Sequence, residues 1–248
     1  MLMAASVPGA LSAASLQLSF LHEVGGKPLL LDSLRYAVSS NETFSVTRLS
    51  YLLSGFTLER ASGEYVLCED VYACIDSASD KVHVALPDVP DDVYTALSFY
   101  LGPDAEANHA DPAAYTANHA LNPNVNRLHW DWSGGYIFLA MEGHWRKTGK
   151  TDLGGYAYHF ARDPNRTQIR LEGDLDLRTR ASALVQLNVA RILAGISFTE
   201  DGATTHSSDG DAVSTRLQQN LRSAFSLVRV AHEGFPKPAA ALPLLDFP

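Results

Sequence analysis

Apolar and polar residues alternate along most of this chain, beginning at Leu16, where LQLSFLHEV places every second side chain on one face, as a half-buried strand does. Gly25-Gly26 closes that run with a turn. Residues 44–59, FSVTRLSYLLSGFTLE, are dense in β-branched and aromatic side chains, and Ser62-Gly63 turns the chain into EYVLCEDV, which predicts a hairpin. VHVALPDVP alternates again, with His83 outward between Val82 and Val84, and DVYTALSFYLG is the last strand before a long loop. Past that loop, YIFLAMEG, GYAYHFA, QIRLEG, LDLRT and ALVQLNV are short strands separated by Gly, Asp, Asn or Pro. One segment has a different period. In DAVSTRLQQNLRSAF, Val213, Leu217, Leu221, Ala224 and Phe225 recur at helical spacing, with Asp211 placed to cap the N-terminus. The pattern predicts an all-β fold: a β-sandwich of short antiparallel strands, with long loops and one helix in the C-terminal half. No repeat or linker interrupts it, so 16–235 reads as one domain and 236–248 as a proline-rich, irregular tail.

Composition narrows the functions. With 248 residues the chain has ample length for a sizeable core. A net charge of −9, without clustered Lys and Arg, argues against a nucleic-acid surface. No apolar run approaches the roughly 18 residues of a membrane-spanning helix. The start, MLMAASVPGALSAAS, is apolar and rich in small residues and ends like an Ala-x-Ala cleavage site, so 1–15 reads as the remnant of a secretory signal. The expected location is then periplasmic or extracellular; the alternative is a disordered cytosolic tail. Cys68 and Cys74 lie six positions apart, wider than a Cys-x-x-Cys site and with no second pair to complete a zinc cage. In an oxidising compartment that spacing suggests a short-loop disulfide.

Candidate chemistry gathers in the loop at 108–143, which holds His109, His119, His129, Trp130 and Trp132. In LHWDWSGGY, alternation puts His129 and Asp131 on one face and Trp130 and Trp132 on the other. His129 and Asp131 could form a ligand and its carboxylate partner; the competing reading has the tryptophans filling the core and His129 solvated at an edge. In GGYAYHFA, His159 is flanked on its own face by two alanines, which suits a site as well as close packing. His109 and His119 both stand in Asn-His-Ala, where the asparagines are turn formers that would simply bond a loop together. His206, in TTHSSDGD, reads as a loop residue before the helix, and His22, His144 and His232 form no constellation. There is no nucleophile elbow, Walker loop, dinucleotide fingerprint or His-Glu-x-x-His, so an enzyme is disfavoured.

SYLLSGFTL, the Asn-His-x-Asp loop at Asn108 to Asp111, LHWDWSGGYIFLAMEG and GYAYHFA together resemble the MbnP-like proteins, secreted bacterial copper proteins associated with methanobactin operons. The likeness covers most of 16–230 and is strongest at Trp130-x-Trp132, the Gly-Gly-Tyr that follows and the strand ending in Glu-Gly. It implies a β-sandwich of the periplasm or cell surface and Cu(I) held by two histidines and a tryptophan oxidised to kynurenine. A dihaem cytochrome c peroxidase-like partner is implied for that oxidation. His109 matches the family's loop histidine. The family's other histidine and its modified tryptophan fall near the strand matched by YLLSGFTL, which carries Ser54 and Gly55 and no tryptophan.

The expectation is therefore an exported, non-enzymatic metal-binding protein that takes copper, Cu(I) in preference to Cu(II), through His109, His119, His129 and His159. Asp111, Asp131, Trp130 and Trp132 are expected around those ligands, with the tryptophans buried and unmodified. The alternative is a binding module that kept the scaffold, lost the copper and grips a peptide, glycan or surface partner through its aromatic loop.

Overall fold

The computed structural model describes residues 13–39, 41–79, 81–132, 134–178 and 181–232. The first half contributes β1 (Ala13–Val24), β2 (Lys27–Pro28), β3 (Tyr36–Ser39), β4 (Glu42–Phe44), β5 (Arg48–Arg60), β6 (Tyr65–Leu67), β7 (Ala73–Asp76), β8 (His83–Pro90) and β9 (Val93–Leu101). The second contributes β10 (His129–Trp130), β11 (Gly135–Lys147), β12 (Gly154–Ala161), β13 (Thr167–Asp176), β14 (Ala181–Asn188), β15 (Thr204–Thr205) and β16 (Phe225–His232). Among the described residues four α-helices, α1 (Ala105–His109), α2 (Pro123–Asn126), α3 (Val189–Ile192) and α4 (Ala212–Ala224), lie between strands.

The strands form two sheets, as the alternating pattern requires of elements that each have one face to bury. One sheet runs β16-β14-β1-β2, with β8 also pairing β1; the other runs β13-β9-β5-β11-β12-β15, with β6 and β7 on β5 and β4 and β10 on β11. Leu16, Leu18 and Phe20 of β1 are buried and Gln17 is exposed, the alternation the sequence predicts. Across the seam, Phe20 and Phe225 of the first sheet meet Tyr51 and Phe99 of the second, with ring centroids 5.5 to 6.3 Å apart. Rings of this size each bury about 150–250 Å² and dominate such a core. The fold is an all-β sandwich.

Several expectations are corrected. Two strand pairs, β1 with β14 and β12 with β15, are parallel, because the partners are distant in sequence and their connections leave direction free. QIRLEG and the first two residues of LDLRT, Leu175 and Asp176, are one strand, β13, whose register shifts between Glu172 and Leu175. Gly173 sits in that irregularity, where a Cβ would stand 2.6 Å from Leu227 of β16. Asp211 caps α4, accepting from Ser214 N at 3.0 Å, but the chain then turns into β16, a strand the pattern did not predict. YIFLAMEG continues as strand to Lys147. Residues 13–15, read as part of a leader, belong to β1, while 1–12 and the tail at 236–248 lie outside the described residues. No helix among the described residues is long and apolar enough to cross a membrane.

The disulfide is absent: Cys68 and Cys74 are free thiols. Cys68 N bonds Phe56 O, whereas Cys74 lies opposite Leu52. That offset along β5 amounts to about 13 Å at a strand's rise, well beyond the roughly 7 Å a disulfide can span. Burial pushes both thiols up to about 11.

Candidate functional site

The pairing of β15 with β12 decides the site. Ala157 faces Thr204 and Tyr158 faces Thr205 in parallel register, so the next residues, His159 and His206, fall side by side. Ser207 fixes that register from below. Its hydroxyl accepts from Ala161 N at 3.0 Å and donates to His159 O at 3.2 Å, and its own N–H bonds Thr205 Oγ1 at 2.9 Å. Ser214 in the first turn of α4 donates to the same hydroxyl at 3.0 Å, and Thr205 donates to the cap Asp211. Ser207 is buried and its φ is +57°, a conformation that L side chains rarely adopt, so this bond set holds a strained residue in place.

The His159 and His206 ring centroids are 5.5 Å apart, and the Trp130 indole completes a triangle, 6.0 Å from His159 and 5.6 Å from His206. Trp132 packs behind Trp130 at 5.2 Å. A metal–nitrogen bond of about 2.0–2.1 Å plus a ring radius of about 1.1 Å puts an imidazole centroid about 3.2 Å from a bound ion, so two rings on one ion stand at most about 6.4 Å apart. The histidine pair meets that limit. His159 Nε2 lies 3.0 Å from Glu142 Oε1, which also accepts from Arg48 at 2.9 Å, while His159 Nδ1 is buried with no hydrogen-bond partner. Burial alone would raise the Glu142 carboxyl; the hydrogen bond from His159, then the charge and hydrogen bond of Arg48, outweigh it and hold the group below the usual carboxylate range. Two imidazoles beside an indole offer nitrogen donors of the kind that zinc, copper, iron and nickel accept. Among the described residues, no group of three or more His, Cys, Asp or Glu is placed to hold a metal.

The four expected ligands do not converge. His109 spends both ring nitrogens on protein: Nε2 on Asp163 at 2.8 Å and Nδ1 on Gly134 O at 3.2 Å. Its neighbour Asn108, buried, donates to the other Asp163 oxygen at 2.7 Å and accepts from Tyr136 N at 2.8 Å. Asn108-His109 is thus a clasp that ties the long loop to β11 and to the turn after β12. The hydrogen bond to Asp163, then that to Gly134 O, raises the His109 imidazole above its ordinary value. His119 stacks on Tyr115 at 4.5 Å and accepts from Leu121 N at 3.1 Å. His129 does meet Asp131, at 3.1 Å, but its ring lies against Tyr136. Asp111 caps the 3-10 turn Pro112–Ala114, accepting from Ala113 N at 2.9 Å.

The core-filling arrangement holds for only one tryptophan of the Trp-x-Trp segment: Trp130 is half-buried against the core. The His129 side chain is only 6% exposed, whereas Trp132 is 71% exposed. β10 ends at Trp130, so strand alternation does not carry through to Trp132. His206 is the residue sequence reasoning missed: it stands 47 positions after His159, and only the β12·β15 register brings them together. Thr204-Thr205 just before it is a β-branched pair, a weak signal of strand.

The sequence profile of the MbnP family matches residues 13–208, which include Trp130, His159 and His206. In structure the chain is similar to MbnP from Methylosinus trichosporium, with a TM-score of 0.55 over 82% of this chain and 83% of that one, at 14% sequence identity. At that identity the likeness is one of fold. No curated protein matches. With the profile running from β1 through the histidine pair, over well more than half of the sequence, the chain belongs to the MbnP family.

Proposed function

We propose that this protein is a non-enzymatic copper-binding member of its family, acting outside the cytoplasm, and that Cu(I) is held by His159 and His206 beside Trp130. The observation that carries this reading is the buried, unpartnered Nδ1 of His159 on a ring 5.5 Å from the His206 ring. A buried nitrogen left without a partner in a native fold calls for one, and a ligand is one kind of partner. The resemblance implies a tryptophan oxidised to kynurenine. Trp130, half-buried against both imidazoles, is the tryptophan in this chain that fits that role, and a dihaem partner remains the implied oxidant. A bound ion would supply a redox-capable soft centre at the sheet edge. The chain's own part is to hold two imidazoles and an aromatic ring at fixed separation.

Competitive titration against a Cu(I) chelator tests the reading. One equivalent should bind to the wild type, His159→Ala and His206→Ala should each remove most of the affinity, and His109→Ala should leave it within a few-fold. Peptide mass mapping of protein from its own host should place any kynurenine at Trp130. The rival reading, a partner-binding module, draws on the exposure of Trp132 beside Trp130. It would be favoured if the wild type bound no Cu(I) and Trp132→Ala abolished capture of a defined partner.

A further inference from the structure

Resting on that reading, we propose that Glu142, braced by Arg48, is the positioning residue of the centre: it keeps the His159 proton on Nε2 and so presents Nδ1 as the ligating atom toward His206 and Trp130. The geometry assigns each part. A carboxylate only accepts hydrogen bonds, so the 3.0 Å contact from His159 Nε2 to Glu142 Oε1 requires the proton to sit on Nε2. A neutral imidazole carries one N–H, which leaves Nδ1 with a bare lone pair, and Nδ1 is the atom found buried without a partner.

The brace is built into the sheet. Arg48 lies directly opposite Glu142 in the β5·β11 register. Its guanidinium is fixed at two points, donating to Glu142 Oε1 at 2.9 Å and to Arg127 O at 2.8 Å. Thr47 N bonds Glu142 O at 2.8 Å, pinning the backbone that carries the carboxylate. The other expected histidines lack this arrangement. His109 spends both ring nitrogens on protein, His119 accepts a backbone N–H at Nδ1, and His129 meets the fully exposed Asp131 through Nδ1; among the described residues, His159 is the histidine whose second nitrogen is buried without a partner. A carboxylate behind a ligating imidazole fixes its tautomer and ring direction, and removing such a partner commonly weakens metal binding about 10–100-fold.

The test uses the full chain, labelled with 15N at histidine, and Cu(I) alone as the probe. In metal-free protein the His159 resonances should report the Nε2–H tautomer with a slowly exchanging proton, and Glu142→Ala should lose that slow exchange. On adding Cu(I), which is diamagnetic, Nδ1 of His159 should shift while Nε2 keeps its proton. Glu142→Ala and Arg48→Ala should bind Cu(I) more weakly, the first by about 10–100-fold, with Glu142→Asp restoring part of the loss. Thermal melts of each variant identify any that fail to fold, and Glu142→Gln, which keeps the side-chain volume, then takes the place of the alanine variant. An Nδ1–H tautomer in the metal-free wild type, a Cu(I)-induced shift at Nε2, or wild-type affinity in folded Glu142→Ala would overturn the inference. A wild type that binds no Cu(I) would overturn the copper reading instead, while the metal-free spectrum would still decide whether Glu142 sets the tautomer.

Discussion

At the scale of single residues, the segment His129 to Trp132 shows how far a period-two pattern can be trusted. The strand ends at Trp130, so alternation says neither which face is inside nor where Trp132 points. His129 is turned against Tyr136 and Trp132 into solvent. An indole exposed to this degree has little burial to lose, so Trp132→Ala should shift unfolding stability by no more than about 0.5 kcal/mol, as surface changes away from special features do. Urea unfolding measures this, and a loss of about 2 kcal/mol or more would mean that Trp132 packs against something in solution. The Asn-His-Ala asparagines read as local turn formers, but Asn108 bonds across the fold, donating to Asp163 and accepting from Tyr136 N, while local backbone bonding of that kind falls to Asn122, which donates to Tyr115 O and Thr116 O, and to Asn126, which donates to Ala120 O.

At the scale of elements, β11 is where glycine placement matters most. At Gly143 an added Cβ would stand 2.0 Å from Ser45 O and 2.8 Å from the Tyr156 ring, because the chain leaving β4 crosses the strand at that point. Ser45 O is already taken by the Tyr156 hydroxyl at 2.9 Å, so neither neighbour can withdraw freely. Gly143→Ala should therefore destabilise the protein by on the order of 3 kcal/mol, the upper range for forced overpacking. Gly155→Ala, whose nearest atom would be 4.0 Å away, should cost about 1 kcal/mol or less. Chemical denaturation of both variants decides it, and equal midpoints would show that the Ser45 crossing yields. The same strand pairs with β12, which positions His159, and part of the Gly143→Ala cost should therefore appear as weaker Cu(I) binding.

At the scale of the whole molecule, His22 links the sheets. It stands on β1, buried, with Nε2 3.0 Å from the hydroxyl of Tyr51 on β5 of the opposite sheet. Burial lowers its imidazole from 6.5 to about 4. Between those values the unfolded chain takes up a proton that the folded protein refuses, so folding stability falls as pH drops from about 6.5 to 4 and levels off below. The loss attached to this one group is roughly 3 kcal/mol, because each tenfold change in proton affinity corresponds to about 1.4 kcal/mol. Urea midpoints measured from pH 7 to pH 4 should decline in the wild type and decline less in His22→Gln. Parallel curves for the two proteins would place the acid sensitivity elsewhere. The His109 clasp responds in the opposite sense: its raised imidazole contributes stability in full below about 6.5 and loses it as pH rises through the folded value.

The class of fold, most strands and the capped helix follow from the order of residues alone, because burying one face of an extended chain imposes a local period of two and a helix imposes its own. The same residues carried the family resemblance, which the profile over 13–208 bears out. Whether Cys68 reaches Cys74 was a matter for the tertiary structure, since their separation is set by where each chain segment joins β5 and not by the six positions between them. The histidine pair arose the same way. His159 and His206 become neighbours through one parallel strand pairing and a buried serine, contacts between residues 47 apart whose register no local pattern records. Local alternation could nominate His159 but not its partner, because the choice between a ligand and a loop residue depends on which strand edge the loop meets.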